Sequence, residues 1–508
     1  MKILLFTLLS VLPQKIFPMS PNNSDWHMNN KKVLIIEYDV EKFNDDQVSV
    51  LSFGAKGDGK TDDSRAIQAC IDFGVKNNKT IYIPKTSAFY LLDCKQLFGD
   101  ESTAMAPTVK VALEMKSGMK ILSNGAILKI KGGISSLKNP IQMRMFFSNN
   151  FLENISFNGL ILDMNGQNNL ISPNLPKSSN NYTQSQIIFS GTKGNIAAGA
   201  NNVIIENCQF INNPGVSNIC LAQSNKLNVN LGKNWVIRKN KFFNNGFNSS
   251  DHSSIYAWAN DVECYDNIFD NPTIFSSNTQ TGGLVAYEIH GSNQRFYNNS
   301  ISNYYQGLWI ATNNSQPKIV GTKIYNNKAK LSAMFADFYN GNLEKPPFYP
   351  IDIDGVEIYS NTATLTNDAV HDATKQFVRI ASKLHPLNVN IYNNTVIGLS
   401  KNKNTAFAVI VVLDNQEKAL ENLKISNNKS QGLGDGVLVY WGKKMDMKNI
   451  EISKNSFGVY QSLKDAHNVD VFGYGPSTMG KVTNLILNGH NKILTDNESR
   501  FMINGRMR

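Results

Sequence analysis

From Val109 onward, short runs of Ile, Val, Leu and Phe alternate with polar residues and are broken by Asn, Gly and Ser. A period of two predicts strands with one buried face. Helical periodicity nearly vanishes over the same stretch. Val50–Ile71 is the exception. Val50, Leu51 and Phe53 are strand-like, and Gly54, Gly57 and Gly59 suit a tight turn. Ile67, Cys70, Ile71 and Gly74 then fall at i, i+3, i+4 and i+7, which predicts an amphipathic helix. Thr61, Asp62 or Asp63 can cap it. Lys32–Tyr38 and Thr80–Pro84 read as strands on either side.

The strand pattern repeats. A few alternating residues followed by Asn recur at Val203–Asn207, Val236–Asn240, Glu263–Asn267, Arg295–Asn299, Lys323–Asn327, Glu357–Asn361, Asn390–Asn394, Lys424–Asn428 and Glu451–Asn455. Successive Asn positions lie 33, 27, 32, 28, 34, 33, 34 and 27 residues apart. The irregular period suggests that each unit admits insertions in a loop while one turn stays fixed. Such units cannot bury an apolar face alone, but stacked units share a continuous core, so a parallel β-solenoid is expected. The recurrent Asn suits a left-handed turn and could bond amide to amide along the stack. A propeller would need antiparallel four-stranded blades, and the leucine-rich consensus is absent. The solenoid's end needs cover, which gives the helix a role.

Gly54 to Thr61 also fits G-x-x-x-x-G-K-[ST], the phosphate-binding loop. That reading needs strands alternating with helices, and none flank Leu160–Asp163, the only candidate for a magnesium-binding strand. Phe53–Asp63, with Ala66-Ile-Gln68 following, resembles the opening motif of the pectate-lyase-like superfamily, which includes family-28-like glycoside hydrolases and phage tailspike depolymerases. The resemblance implies an all-β chain, a right-handed parallel β-helix over residues 49–490 with an N-terminal capping helix. Residues 21–48 are then an extension and 491–508 a tail. The fold hosts hydrolases, lyases, epimerases and non-catalytic adhesins, so it leaves the chemistry open.

Composition narrows the setting. The hydrophobic fraction is 41%, an ordinary value, and the net charge is +10 with the basic residues dispersed. No long Lys/Arg run or nucleic-acid motif is present, so an acidic polysaccharide is at least as good a partner as nucleic acid, and a polysaccharide rather than nucleic acid is expected. The five cysteines show no metal spacing, and their odd number argues against a dense disulfide framework. Lys2 precedes the apolar run Ile3–Leu12, which suits a signal peptide over residues 1–20 and a secreted, periplasmic or cell-surface protein. No segment reaches transmembrane length, so no stable membrane insertion is expected. A monomer and a homotrimer both fit. No cofactor is expected; no carboxylate cluster marks a calcium site, although separate units of a solenoid can assemble one.

Candidate chemistry follows from alternation in the strand between Asn turns. Tyr256 and Trp258 face outward, as do Glu288 and His290, and Trp309 on the next unit. Asp337, Arg379 and Tyr440 extend the same face. Neighbouring strands lie about 4.8 Å apart, so these residues form one patch of aromatic platforms and acid/base groups, as a saccharide groove requires. Asp251-His252 could pair as a base with its orienting partner, and Asp163 lies in a turn similar to one common in the superfamily. Glycoside hydrolysis would pair Glu288 with Asp337, Asp251 or Asp163, with His290 orienting or tuning Glu288. Elimination or epimerisation of uronates would use His290, His252 or Tyr256 as base and Arg379 to neutralise the carboxylate. An adhesin would keep the aromatics without a competent acid/base pair. The polygalacturonase motifs Gly-His-Gly and Arg-Ile-Lys are missing, and the Asp-Asp dipeptides begin only at Asp45 and Asp62, so a standard polygalacturonase is not indicated.

Overall fold

The computed structural model describes residues 46–94, 96–97, 109–139, 141–170, 184–189, 199–221, 231–246, 252–271, 284–312, 318–340, 351–366, 375–380, 384–399, 405–412, 420–441, 447–459, 471–475, 482–487, 491–495, 502–503 and 506–507. The expected signal segment and the Lys32–Tyr38 strand lie outside these residues.

The chain winds as a right-handed parallel β-helix. Strand pairing separates three faces. The first runs from Gln47–Ser49 to Val482–Leu487. The second carries Ile127–Ile130, Ile161–Asp163 and their successors to Ser456–Val459. The third runs from Val109–Glu114 to Asn491–Thr495. Two long strands, Ser300–Thr312 and Lys328–Asn340, bend from the second face into the third and pair on both. Gln96–Leu97 pairs antiparallel with Val109–Glu114.

The opening helix spans Ser64–Lys76 and buries Ile67, Cys70, Ile71 and Gly74, the face expected from its periodicity. Its turn is locked by carboxylates. Asp58 accepts from the N–H groups of Lys60 and Thr61, at 2.9 and 2.7 Å. Asp63 accepts from Lys56 and Gly57. Asp62, not Asp63, bonds the helix-start N–H of Ser64. The N–H groups of Lys56, Gly57, Lys60 and Thr61, which a phosphate-binding loop would offer to an anion, are therefore engaged by the turn's own carboxylates, and that of Gly59 by the Phe89 carbonyl. Gly57 is required there: its φ is +58°, and a Cβ would lie 2.5 Å from the Thr86 methyl.

The repeating Asn forms a buried ladder. The Asn267 amide donates to Asn299 Oδ1, Asn299 to Asn327, Asn327 to Asn361 and Asn361 to Asn394, at 2.9–3.1 Å. Each amide also caps a strand carbonyl, as Asn327 does for Phe296. One expectation needs correction. The left-handed residue is the one before the ladder Asn: Lys239, Asp266, Asn298, Asn326, Ser360, Asn393, Asn427 and Lys454 all have φ near +55°. Asn207 is such a turn residue, and Cys208 takes the ladder position, with its N–H on Asn240 Oδ1. The ladder side chain must point inward to reach its neighbours, which leaves the strained conformation to its exposed predecessor.

Inside, Phe210, Phe242 and Phe269 stack with centroids 4.9 and 4.6 Å apart. Where the second face turns into the third, alternation slips. Ala286 and Tyr287, Phe335 and Ala336, Phe377 and Val378, and Phe407 and Ala408 are successive pairs that all belong to the core.

Candidate active site

Register places the predicted residues in one outward column on the third face. Tyr256 pairs with Glu288, Glu288 with Trp309, Trp309 with Asp337, and Asp337 with Arg379. Five consecutive strands thus contribute one residue each. The column is apolar on either side: Phe147, Ile188 and Cys220 precede it, and Val409 and Leu438 follow. In the chain, residues 272–283 precede Leu284–Ile289 and 341–350 follow Lys328–Asn340.

Glu288 and His290 are both buried and joined, with His290 Nε2 2.8 Å from Glu288 Oε2. His290 Nδ1 lies 2.9 Å from the Ala311 carbonyl oxygen. A carbonyl only accepts, so Nδ1 carries a hydrogen. Nε2 and Oε2 are joined by a hydrogen bond, so the imidazole links the Ala311 carbonyl to the Glu288 carboxyl. Ser253 Oγ donates to the other carboxylate oxygen of Glu288. The imidazole is also clamped by rings: Trp258 stacks on it at 4.3 Å with planes 5° apart, and Tyr256 sits tilted at 4.7 Å.

Asp337 is held differently. Arg379 grips it with both arms, Nε to Oδ1 at 2.7 Å and Nη2 to Oδ2 at 2.5 Å. The carboxylate is buried, while the guanidinium stays half-exposed. The fork gives the carboxylate two charge-assisted hydrogen bonds. Beside this pair, burial pushes the Tyr305 phenol up.

The other candidates are placed elsewhere. Trp258 is only 1% exposed, and one of its faces is taken by His290, so it is not an open sugar platform. His252 opens the strand His252–Ala257 and is fully buried, not part of an exposed loop. Its Nδ1 lies 2.6 Å from the Gly215 carbonyl and its Nε2 3.2 Å from Ser254 Oγ, which meets Tyr304 in the interior. Burial pulls its pKa down to about 4, leaving it neutral in the folded protein. Asp163 lies on the second face, where it accepts from the Asn165 N–H and the Asn212 amide and pairs with Lys129. It ends the strand Ile161–Asp163, apart from the column. Asp251 lies outside the described residues. Tyr440 is on the third face by register, two residues beyond the column position taken by Leu438.

Ser253 was not foreseeable. Strict alternation from Tyr256 would turn Ser254 outward and Ser253 inward. The slip at the corner reverses this, so Ser253 reaches Glu288 while Ser254 faces Tyr304. No pattern in this strand alone announces such a bend. Among the described residues no His/Cys/Asp/Glu group could hold a metal ion.

Comparison with known proteins agrees with this architecture. The chain superposes on the tailspike protein of E. coli bacteriophage HK620 in complex with a pentasaccharide, with a TM-score of 0.62 and 14% identity, over 87% of this chain and 79% of that one. A mutant of the same tailspike in complex with a hexasaccharide gives a TM-score of 0.62 at 14% identity, over 87% and 78%. The likeness shows the fold, a parallel β-helix. In sequence, 126 residues are 35% identical to a polygalacturonase of Arabidopsis thaliana, ADPG1. That match covers 22% of this chain and 28% of the plant protein. No family profile matches the chain.

Proposed function

We propose that this chain cleaves a polysaccharide by hydrolysis, with Glu288 as proton donor and Asp337 as the ionised partner. The observation that carries this reading is the contrast within one column: Glu288 is hydrogen-bonded to an imidazole, whereas Asp337 is fixed in an arginine fork. Glycoside hydrolysis requires one carboxyl that can give a proton and one that stays charged. The two strands are separated by one other, so the carboxylates stand about 9–10 Å apart along the column. That approaches the roughly 6.5–9.5 Å spacing that leaves room for a water, so the reaction inverts the anomeric centre. Trp309 between them, and Tyr256 beside them, offer apolar surface to a sugar ring. The oligosaccharide-bound tailspikes and the polygalacturonase segment lend this reading support from outside the site.

β-Elimination is the weaker reading. It needs a cation for the uronate carboxylate, and Arg379 is engaged by Asp337. A non-catalytic adhesin would not need an imidazole-bonded carboxyl in the same column as one held in an arginine fork. Incubation with a panel of acidic and neutral polysaccharides tests the proposal. New reducing ends from the wild type, absent with Glu288→Gln, are expected. Products with the ultraviolet absorbance of an unsaturated uronate would overturn hydrolysis.

A further inference from the structure

We infer that the sugars held between Tyr256 and Arg379 are uncharged, so the substrate is a glycan whose cleaved stretch is neutral. This rests on the reading of the column as a polysaccharide site. The net charge of +10 pointed to an acidic polymer, but the location of charge matters more than its sum. Across the column and its two neighbours, the described residues from 252 to 380 carry few charges. The column on one side is Ser253, Val285, Gln306, Met334 and Gln376. The positions on the other side include Trp258, His290 and Ala311. The charged or chargeable groups there are Glu288, His290, Asp337 and Arg379, and they are paired with one another. Glu288 is joined to His290 by a hydrogen bond. Asp337 and Arg379 form a bidentate pair of opposite charge.

Among the described residues of these three columns, a uronate carboxylate would meet only basic groups already paired with a carboxylate. It would either lose its water without a replacement partner or compete with Asp337 for Arg379. Neutral sugars ask for aromatic faces and hydroxyl partners, and Tyr256, Trp309 and Gln306 supply those. The positive charge instead lies on surfaces such as the outer side of the second face, where Lys241, Lys328, Lys330 and Lys429 are exposed.

The experiment uses polymers in matched pairs, each a uronate glycan and its carboxyl-reduced neutral form, with cleavage by the wild type and binding by Glu288→Gln as readouts. The neutral member is expected to be preferred by at least about tenfold, since an unpaired charge is the means of rejection. Binding should change less than about twofold between low salt and roughly 0.5 M NaCl, because screening acts only on charged contacts. Asp337→Asn removes the negative charge facing the guanidinium and should raise uronate binding by about fivefold or more. Preference of the wild type for the uronate member, or binding that salt abolishes, overturns the inference while leaving the saccharide site in place. Failure of every pair, acidic and neutral alike, overturns the saccharide reading and this inference with it.

Discussion

Two outward columns of five residues run along this β-helix, and they are built on opposite principles. On the first face, Tyr265, Tyr297, Tyr325, Tyr359 and Tyr392 stack ring on ring at 4.8–4.9 Å with planes within 7°. On the third, Tyr256, Glu288, Trp309, Asp337 and Arg379 differ at every step. The tyrosines satisfy one another. Each interior ring gives both faces to its neighbours, so nothing is left to grip a sugar. The residues of the third face do not repeat, and in the proposed site each would contribute something different, whether a proton, a flat surface or a negative charge. Under that proposal, repetition along the first column is support and its loss along the third is chemistry.

Glu288→Gln should separate the columns most sharply. It keeps the shape but removes the proton donor, so turnover should fall by about a thousandfold or more, with Tm unchanged. Retained turnover would mean that the third-face column is another support.

Asn327→Ala should do the reverse. It strips a partner from the Phe296 carbonyl and from the Asn299 N–H, both buried. Stability should fall by roughly 3 kcal/mol in denaturant titration, with kcat preserved under conditions where the protein remains folded.

A third test lies just beneath the site. His252 is neutral inside the protein, with a pKa near 4 against 6.5 in the unfolded chain. The unfolded state therefore takes up a proton that the folded state refuses. The stability is whole above pH 6.5 and drains away as pH falls toward 4, by roughly 3 kcal/mol. Thermal melts across that range should show the decline, and His252→Gln should flatten it. An unchanged slope would mean that the imidazole is not sealed from water.

The smallest effect is expected from Tyr325→Thr. Losing two stacking contacts should cost about 1 kcal/mol in a thermal melt and leave cleavage unaltered. A large loss of activity would give the first face a role in binding.

The sequence carried the architecture because alternation and the recurring Asn repeat over many turns, and each copy reinforces the others. The column was legible for the same reason: once Ile255 and Tyr287 are inside, Tyr256 and Glu288 must be outside. What stayed hidden depends on single departures. The corner slip that brings Ser253 to Glu288 is invisible in a strict two-residue period. Trp258 has the pattern of a platform, yet its partner His290 lies on the next strand and covers it. The pairing of Asp337 with Arg379, which decides the charge of the site, spans 42 residues. Such contacts come from register, and register follows from insertion lengths that periodicity does not report.

A structure of Glu288→Gln with a bound oligosaccharide would show directly which column holds the substrate. Sugar rings are expected along Tyr256, Trp309 and Arg379, with the scissile linkage oxygen within hydrogen-bond reach of residue 288. Sugar bound instead along the stacked tyrosines of the first face, with the third-face column empty, would contradict the assignment of the chemistry to Glu288 and Asp337.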